Sequence, residues 1–362
     1  MVGIQEKIKE IEDELARTQK NKATEWHIAI QKAKLAKLRA QLIAGPKGGA
    51  SGGGFDVRKS GDARVIMVGY PSTGKSTLLS KVTKAESKQA AYAFTTLDVI
   101  PGLIEYKGAK IQFLDVPGIL RGAARGLGRG KEVLAVARSA DLILIFVDVF
   151  NPDTAGLVEE LYEVGIRIDT TPPDVVISKQ ETGGIIINRI KPTRKLTDKS
   201  IVDILGVYGI HSATVTIRDD IDTDEFIDVI VGNRIYTKSL KVVNKIDMVD
   251  KKKLKEIEKK IGEFIGISAQ DGINIELLKE KMYDKLDLIR VYTKTRFGET
   301  DDEPLVIKNG STIRQVCMGI HRDMVRDFKF ALVNGPSAKW ENQRVGLNHR
   351  VKDGDLVQIF TR

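Results

Sequence analysis

Eight consecutive residues, Gly69-Tyr70-Pro71-Ser72-Thr73-Gly74-Lys75-Ser76, follow the pattern G-x-x-x-x-G-K-[ST]. They come after the apolar, β-branched run Val65 to Val68 and before a stretch of helical pattern that begins at Lys75. That is the context a phosphate-binding loop requires. Backbone N–H groups at the start of a helix face anionic oxygens, a lysine can reach the β- and γ-phosphates, and a serine hydroxyl can serve Mg2+. The expected phosphate contacts are therefore Gly69, Pro71, Ser72, Thr73, Gly74, Lys75, Ser76 and Thr77.

Further polar motifs follow in order. Asp115-Val116-Pro117-Gly118 closes the next apolar run, where a carboxylate can hold Mg2+ through water and the Gly118 N–H can sense a γ-phosphate. Asn244-Lys245-Ile246-Asp247 follows the run Leu240 to Val243. An aspartate at Asp247 can take the N1 and N2 hydrogens of guanine in a bidentate pair, and adenine has no such two-donor edge. The motif thus selects GTP over ATP and argues against a metabolic phosphotransferase. Ser268-Ala269 can close a loop over the base, and Thr95-Thr96 offers hydroxyls to Mg2+ and the γ-phosphate. A lone D-x-x-G is a turn, and a lone threonine pair is strand surface. In this order, each at a strand end, the set specifies a nucleotide site.

The elements that must carry these loops read as strands alternating with helices, the signature of a parallel α/β sheet. Runs at Val65 to Val68, Ile111 to Leu114, Leu142 to Val149 and Leu240 to Val243 supply strands. The spacing from Asp115 to Asn244 exceeds what the crossovers need, and residues 166–238 account for the excess. They carry their own pattern: a hairpin-like pair (Val175 to Ser178, Gly184 to Asn188), a helix at Ser200 to Leu205, a strand at Thr214 to Arg218 and a helix at Glu225 to Val231. This is expected to be an inserted α+β subdomain that presents a partner surface.

Before the sheet, apolar residues recur at helical spacing over residues 4–20 and 24–43, a helical hairpin. Residues 45–54 contain six glycines and read as a linker. Beyond residue 290 come a strand at Leu305 to Lys308, a helix at Thr312 to Ile320 and strands at Phe330 to Val333 and Leu356 to Phe360, an order that suits a small β-grasp fold. The division expected is 1–60, 61–165 with 239–289, 166–238 and 290–362.

The chain has 362 residues, 42% of them hydrophobic, enough for several cores. One cysteine, Cys317, excludes an intramolecular disulfide and a Cys-rich zinc site, and four scattered histidines lack metal-ligand spacing. No apolar run approaches the roughly 20 residues that span a bilayer, so the expectation is a cytoplasmic protein without membrane contact. The net charge of +9 sits at the two ends. Residues 1–59 carry 12 Lys/Arg against 7 Asp/Glu, and residues 290–362 carry 13 against 9. A neutral centre with basic appendages fits a polyanionic partner. Lys308, Arg314, Arg322, Arg326, Lys329 and Lys339 are candidates for an RNA patch.

Taken together the chain resembles the developmentally regulated GTP-binding (DRG) proteins of the Obg group of translation-factor-class GTPases, over nearly its full length. The resemblance rests on the Gly69–Ser76 loop, Ala93-Phe94-Thr95-Thr96-Leu97, Asp115-Val116-Pro117-Gly118-Ile119, the glycine-rich run Gly122 to Gly130, Lys22-Ala23-Thr24-Glu25-Trp26-His27, and Asp353 to Ile359. It implies an N-terminal helical region, a P-loop GTPase domain with an inserted ribosomal-protein-like subdomain, and a C-terminal TGS domain of β-grasp fold. It also implies ribosome association, a role in translation and, for eukaryotic members, a dedicated stabilising or regulatory protein partner. By position it makes Thr96 the Mg2+ ligand of the threonine pair, beside Ser76 and Asp115. Lys75, Thr96 and Gly118 are then the expected catalytic group.

Ile119 stands where many GTPases place a water-orienting glutamine, and an isoleucine cannot orient water. Turnover is therefore expected to be slow without a partner or an activating cation. Some relatives use K+ held partly by a phosphate-loop asparagine; Ser72 occupies that position here, and K+ activation stays an open expectation. Arg121, Arg125, Arg129 and Lys131 lie among glycines and read as part of a switch loop, with solvated arginines favoured over an arginine finger. The leading expectation is a GTP-driven switch acting on the ribosome or another RNA. The alternative is an RNA-binding assembly module with GTP as a slowly turned-over structural ligand.

Overall fold

The computed structural model describes residues 3–19, 21, 24–44, 61–83, 100–115, 136–192, 195–294, 301 and 303–361. The chain opens with helices α1 (Ile4–Arg17) and α2 (Glu25–Ala44). Strand β1 (Ala63–Gly69), helix α3 (Lys75–Val82) and strands β2 (Ile100–Tyr106), β3 (Ala109–Asp115) and β4 (Leu142–Asp148) follow, then helix α4 (Thr154–Glu163) and strand β5 (Ile166–Ile168). Next come β6 (Val175–Lys179), β7 (Ile185–Arg189), α5 (Asp198–Val207), β8 (Ala213–Ile217) and α6 (Thr223–Val231). The chain returns through β9 (Ile235–Asn244), α7 (Lys251–Ile261), β10 (Ile265–Gly266) and α8 (Ile275–Leu286). It finishes with β11 (Leu288–Lys294), β12 (Leu305–Lys308), α9 (Ile313–Ile320), α10 (Asp323–Arg326), β13 (Phe328–Asn334), β14 (Gln343–Val345) and β15 (Asp355–Thr361).

The large sheet runs β10-β9-β4-β1-β3-β2, with β5 also paired to β9. Every residue of β4 is buried, as expected of a central parallel strand covered on both faces. One face packs on α4 and α7 through Ile143, Leu157, Leu161 and Ile257; the other packs on α3 and α8 through Met67, Leu78, Phe146 and Leu278. All its pairs are parallel except β2 with β3. That antiparallel hairpin turns at Lys107-Gly108, both at positive φ. Strand β2 lies beyond the runs from which strands are expected in the sequence.

Two expectations about the insertion are corrected. Val175 to Ser178 and Gly184 to Asn188 do not pair as a hairpin: the order is β6-β8-β7, with β6 antiparallel and β7 parallel to β8. The later strand takes the centre because its alternate residues Ala213, Val215 and Ile217 are fully buried under α5 and α6. Residues 166–168 and 235–237, placed by spacing inside the insertion, are paired strands of the large sheet. Ile166 is buried in the core beside α4, which ties this stretch to the sheet.

Helix α2 does not stand apart. Its small residues Ala29 and Ala33 let it approach closely and share a core with Ile201, Ile204, Leu205 and Phe226 of the insertion. Trp26 donates to Asp203, Lys32 pairs with Asp224 at 2.6 Å, and Arg39 bridges Glu12 of α1 and Glu163 of α4 at 2.8 and 2.7 Å.

The last sheet has the order β12-β11-β15-β13-β14, with β11 and β15 parallel at its centre and α9 packed on one face through Ile313, Val316 and Cys317. This is the expected β-grasp arrangement. Leu288 and Val306 carry its β12 edge into the core of the large sheet, and Lys308 pairs with Asp141 at 2.7 Å.

Candidate nucleotide-binding site

The candidate site lies at the C-terminal ends of β1, β3, β4 and β9, where loops leaving an open α/β sheet collect ligands. The phosphate loop leaves β1 at Gly69 and enters α3 at Lys75. Both motif glycines answer to close approaches. A Cβ on Gly69 would stand 2.1 Å from the Phe146 carbonyl oxygen of β4. At Gly74, with φ +96°, it would stand 2.3 Å from Asn244 Nδ2. Ser72 also has positive φ, which curls the loop's backbone. Lys75 Nζ donates to the carbonyl oxygens of Gly69 and Tyr70 at 3.0 and 2.8 Å, so it lies across the loop it would serve. Burial lowers its pKa against the pull of Asp115.

At the end of β3, Asp115 Oδ2 accepts from Ser76 Oγ at 3.1 Å. Burial raises the Asp115 carboxyl above the usual range, opposed by Lys75 and the Ser76 hydrogen bond. Its Oδ1 is buried without a hydrogen-bond partner among the described residues. A desolvated carboxylate with one oxygen unsatisfied, beside a hydroxyl, is a hard-oxygen donor pair that fits Mg2+, whose remaining positions are taken by phosphate and water. Among the described residues no cluster of three or more His, Cys, Asp or Glu side chains could hold a metal by itself.

The base-recognition motif is knit to the phosphate loop. Asn244 Nδ2 donates to the Thr73 carbonyl at 2.8 Å, and Asn244 Oδ1 accepts from the Ala269 N–H at 2.9 Å. One buried side chain thus joins the phosphate loop, the N-K-x-D motif and the Ser268-Ala269 turn. Lys245, in the left-handed region at φ +65°, donates to the Ser72 carbonyl at 3.0 Å. Ser268 is buried and caps its own turn by accepting from the Asp271 N–H. Asp247 is exposed in a short 3-10 turn, Ile246–Met248, and its carboxylate makes no hydrogen bond to a described residue. It is available to a ligand. Pro71, Ser76 and Thr77 are exposed on the loop and first turn, and Thr73 is buried with its hydroxyl on the Tyr70 carbonyl.

Thr95, Thr96, Gly118, Ile119, the run Gly122 to Gly130, and Arg121, Arg125, Arg129 and Lys131 lie outside the described residues.

Two contributors were missed in the sequence. Asp148, the last residue of β4, accepts from Lys245 Nζ at 2.7 Å and from the N–H groups of Phe150 and Asn151. Burial pushes its carboxyl up, but these hydrogen bonds outweigh it and hold the pKa below the ordinary value. An aspartate ending a buried strand, as Asp115 does, was the signal available. Tyr70 donates to Asp153 at 2.9 Å, and Asp153 caps α4 by accepting from the Gly156 N–H, so the phosphate loop is tied to that helix.

Residues 64–179 match the family model described as 50S ribosome-binding GTPase, residues 182–288 the C-terminal region of that domain, and residues 289–361 the TGS domain. An uncharacterized GTP-binding protein of Methanocaldococcus jannaschii is 52% identical across 100% of this chain and 94% of its own length. GTP-binding protein 1 of Schizosaccharomyces pombe is 49% identical and developmentally-regulated GTP-binding protein 2 of Homo sapiens 47%, each over 100% of both chains.

Proposed function

This chain belongs to the developmentally regulated GTP-binding protein family, a GTP-binding GTPase with a TGS domain, and we propose that it works as a GTP-driven switch whose partner is the ribosome or its RNA, in translation. The observation that carries the reading is Asn244, which holds the guanine motif and the phosphate loop in one hydrogen-bonded unit. Base identity and phosphate state are then sensed by the same rigid piece.

In the proposed reaction, water attacks the γ-phosphorus and the bond to the β–γ bridging oxygen breaks, leaving GDP and inorganic phosphate. Lys75 leaves the loop carbonyls for the β- and γ-phosphate oxygens and offsets the charge that gathers there. The first-turn N–H groups of α3 hold the β-phosphate. Mg2+, held by Ser76, by Asp115 through water and by Thr96, would neutralise the β- and γ-oxygens. Gly118 would report the γ-phosphate, and its loss would release the loops around Thr96 and Gly118. With Ile119 in the water-orienting position, turnover is slow until a protein partner, the ribosome or a cation such as K+ supplies the missing positioning. Support for an RNA partner comes from the basic ends of the chain and from the description of the matching GTPase model. Its place of action would be the cytoplasm. Among the described residues no helix is long and apolar enough to cross a membrane.

The test is co-sedimentation with ribosomes in GTP analogue, GDP or no nucleotide at two salt concentrations, with Lys75→Ala as control and phosphate release followed in parallel. Nucleotide-dependent, salt-sensitive binding that Lys75→Ala abolishes is expected. Binding indifferent to nucleotide and to Lys75 would replace the switch with an assembly module.

A further inference from the structure

Helix α7 carries six lysines against two glutamates in eleven residues. Leu254, Ile257 and Ile261 turn its inner side to the core of the large sheet. Lys251, Lys252, Lys255 and Lys259 fall on the outer side, within an arc of roughly 100° at helical spacing. All four are exposed and form no ion pair among the described residues, while Lys253 pairs with Glu256 at 3.2 Å to one side of them.

The local physics of a helix does not ask for this pattern. Lys251, Lys252 and Lys253 occupy the first turn, where the helix dipole favours acidic side chains and opposes cations. Lys251 with Lys255, and Lys255 with Lys259, are like charges four residues apart, which repel. Nor is the pattern general to the chain. Helix α8 balances three lysines with three acidic residues and pairs Lys279 with Glu276 at 2.6 Å. Helix α2 is basic too, but its Lys32, Lys37 and Arg39 are bonded to the insertion, α1 and α4. Among the described residues, α7 turns four cations outward without a partner, at a cost to its own stability.

We propose that the outer side of α7 is a docking surface for double-stranded RNA, with Lys251, Lys252, Lys255 and Lys259 meeting the phosphate backbone. Ammonium groups on a helix read phosphates as point charges and carry no base readout. From Lys251 to Lys259 the stripe runs about 12 Å along the helix axis, enough to follow successive phosphates of one strand. Helix α7 has no aromatic residue on which an unstacked base could lie. A duplex presents its phosphates already ordered, and its backbone is the part of RNA that shape recognition uses, so duplex is preferred over single strand. The stripe begins four residues after Asp247, and Asp250 between them caps α7 by accepting from the Lys253 N–H at 2.8 Å. The surface therefore adjoins the guanine motif. This inference rests on the RNA-partnered reading above and assigns a surface to it, in the central part of the chain rather than at its basic ends.

The test uses the full chain and a fluorescent RNA duplex, or one of its strands alone, read by anisotropy over a series of salt concentrations. One variant combines Lys252→Gln, Lys255→Gln and Lys259→Gln. A control removes the same charge from exposed lysines elsewhere, combining Lys9→Gln, Lys179→Gln and Lys281→Gln. The α7 variant should weaken duplex binding about tenfold or more and lower the salt slope by about one per lysine removed, while the control binds like the wild type. GTP binding should be unchanged in both, and the Tm of the α7 variant should hold or rise because like-charge repulsion is relieved. A fall in Tm would assign the lysines to packing and overturn the surface. Equal loss in the control would make the effect one of net charge and overturn it as well. So would single strand binding as tightly as duplex, or polyglutamate of matched charge competing as well as duplex, which would point to an acidic protein instead. An α7 variant, or a wild-type chain indifferent to free duplex, that still pellets fully with ribosomes would overturn the surface and leave the RNA-partnered reading standing. A wild-type chain that binds neither duplex nor ribosomes would overturn both.

Discussion

Asp148 and Lys245, 97 positions apart in sequence, form an ion pair of 2.7 Å that fixes the lysine against the Ser72 carbonyl. Lys245 is thereby held on the side of the site where a base must lie, before any nucleotide arrives. Asp148→Asn keeps the shape of the turn but removes the charge. The dissociation of fluorescent GDP should accelerate about tenfold, consistent with losing a charge-assisted hydrogen bond of roughly 1.5 kcal/mol, and the KM for GTP should rise while kcat holds. An unchanged off-rate in stopped flow would deny Asp148 this positioning role.

Asp247 is exposed and without a hydrogen bond to any described residue, as a carboxylate awaiting two donors should be. Asp247→Asn replaces an acceptor by a donor and should cut GTP affinity on the order of a hundredfold, the scale of a lost bidentate charged pair. Xanthine carries a carbonyl where guanine carries its amino group, so xanthosine triphosphate should bind the variant better than GTP does. Competition titration with both nucleotides decides it.

The two motif glycines should fail in different ways. Gly69→Ala drives a methyl into the Phe146 backbone at 2.1 Å inside the sheet, and we expect loss of the folded GTPase domain. Gly74→Ala meets a side-chain amide at 2.3 Å and takes an unfavourable φ, a cost of about 1–3 kcal/mol. This variant should fold with a lowered Tm and fail to bind nucleotide. Circular dichroism melts beside nucleotide binding separate the two; matching behaviour would show that the neighbour's identity is immaterial.

Asp115 carries a pH signature. Its folded pKa is raised by burial, so its protonated form is favoured by folding. The associated stability is full below the unfolded value near pH 4 and is lost as pH rises through the folded pKa. In nucleotide-free, Mg2+-free buffer, Asp115→Asn should therefore gain stability relative to wild type between pH 4 and 7, while Mg2+-dependent GTP binding is lost. A stability difference that is flat across this range would contradict the burial argument.

What the sequence made legible was local. The phosphate loop, D-x-x-G and N-K-x-D are contiguous runs at strand ends, and each carries its own geometric requirement, so Lys75, Asp115 and Asn244 could be assigned roles before any fold was known. Asp148 could not, because its role depends on Lys245 in another strand's loop. The insertion's strand order failed for a related reason: Val175 to Ser178 and Gly184 to Asn188 are neighbours in sequence, but β8 arrives later with the more apolar face and takes the place between them. Ala29 and Ala33 lie within the helical stretch expected over residues 24–43, and only the partner helices α5 and α6 reveal them as a contact surface.

Strand β9 has a consequence for regulation. It is ten residues long, about 33 Å at strand rise. It begins at Ile235, where the chain returns from the inserted subdomain, and ends at Asn244, which grips the phosphate loop. A strand hydrogen-bonded to β5 over its first three residues and to β4 over Lys238–Asn244 resists stretching, so it acts as a tie-rod with a handle at one end and the guanine motif at the other. Any macromolecule that shifts the handle and thereby loosens GDP must, by reciprocity, be released by GDP to the same degree.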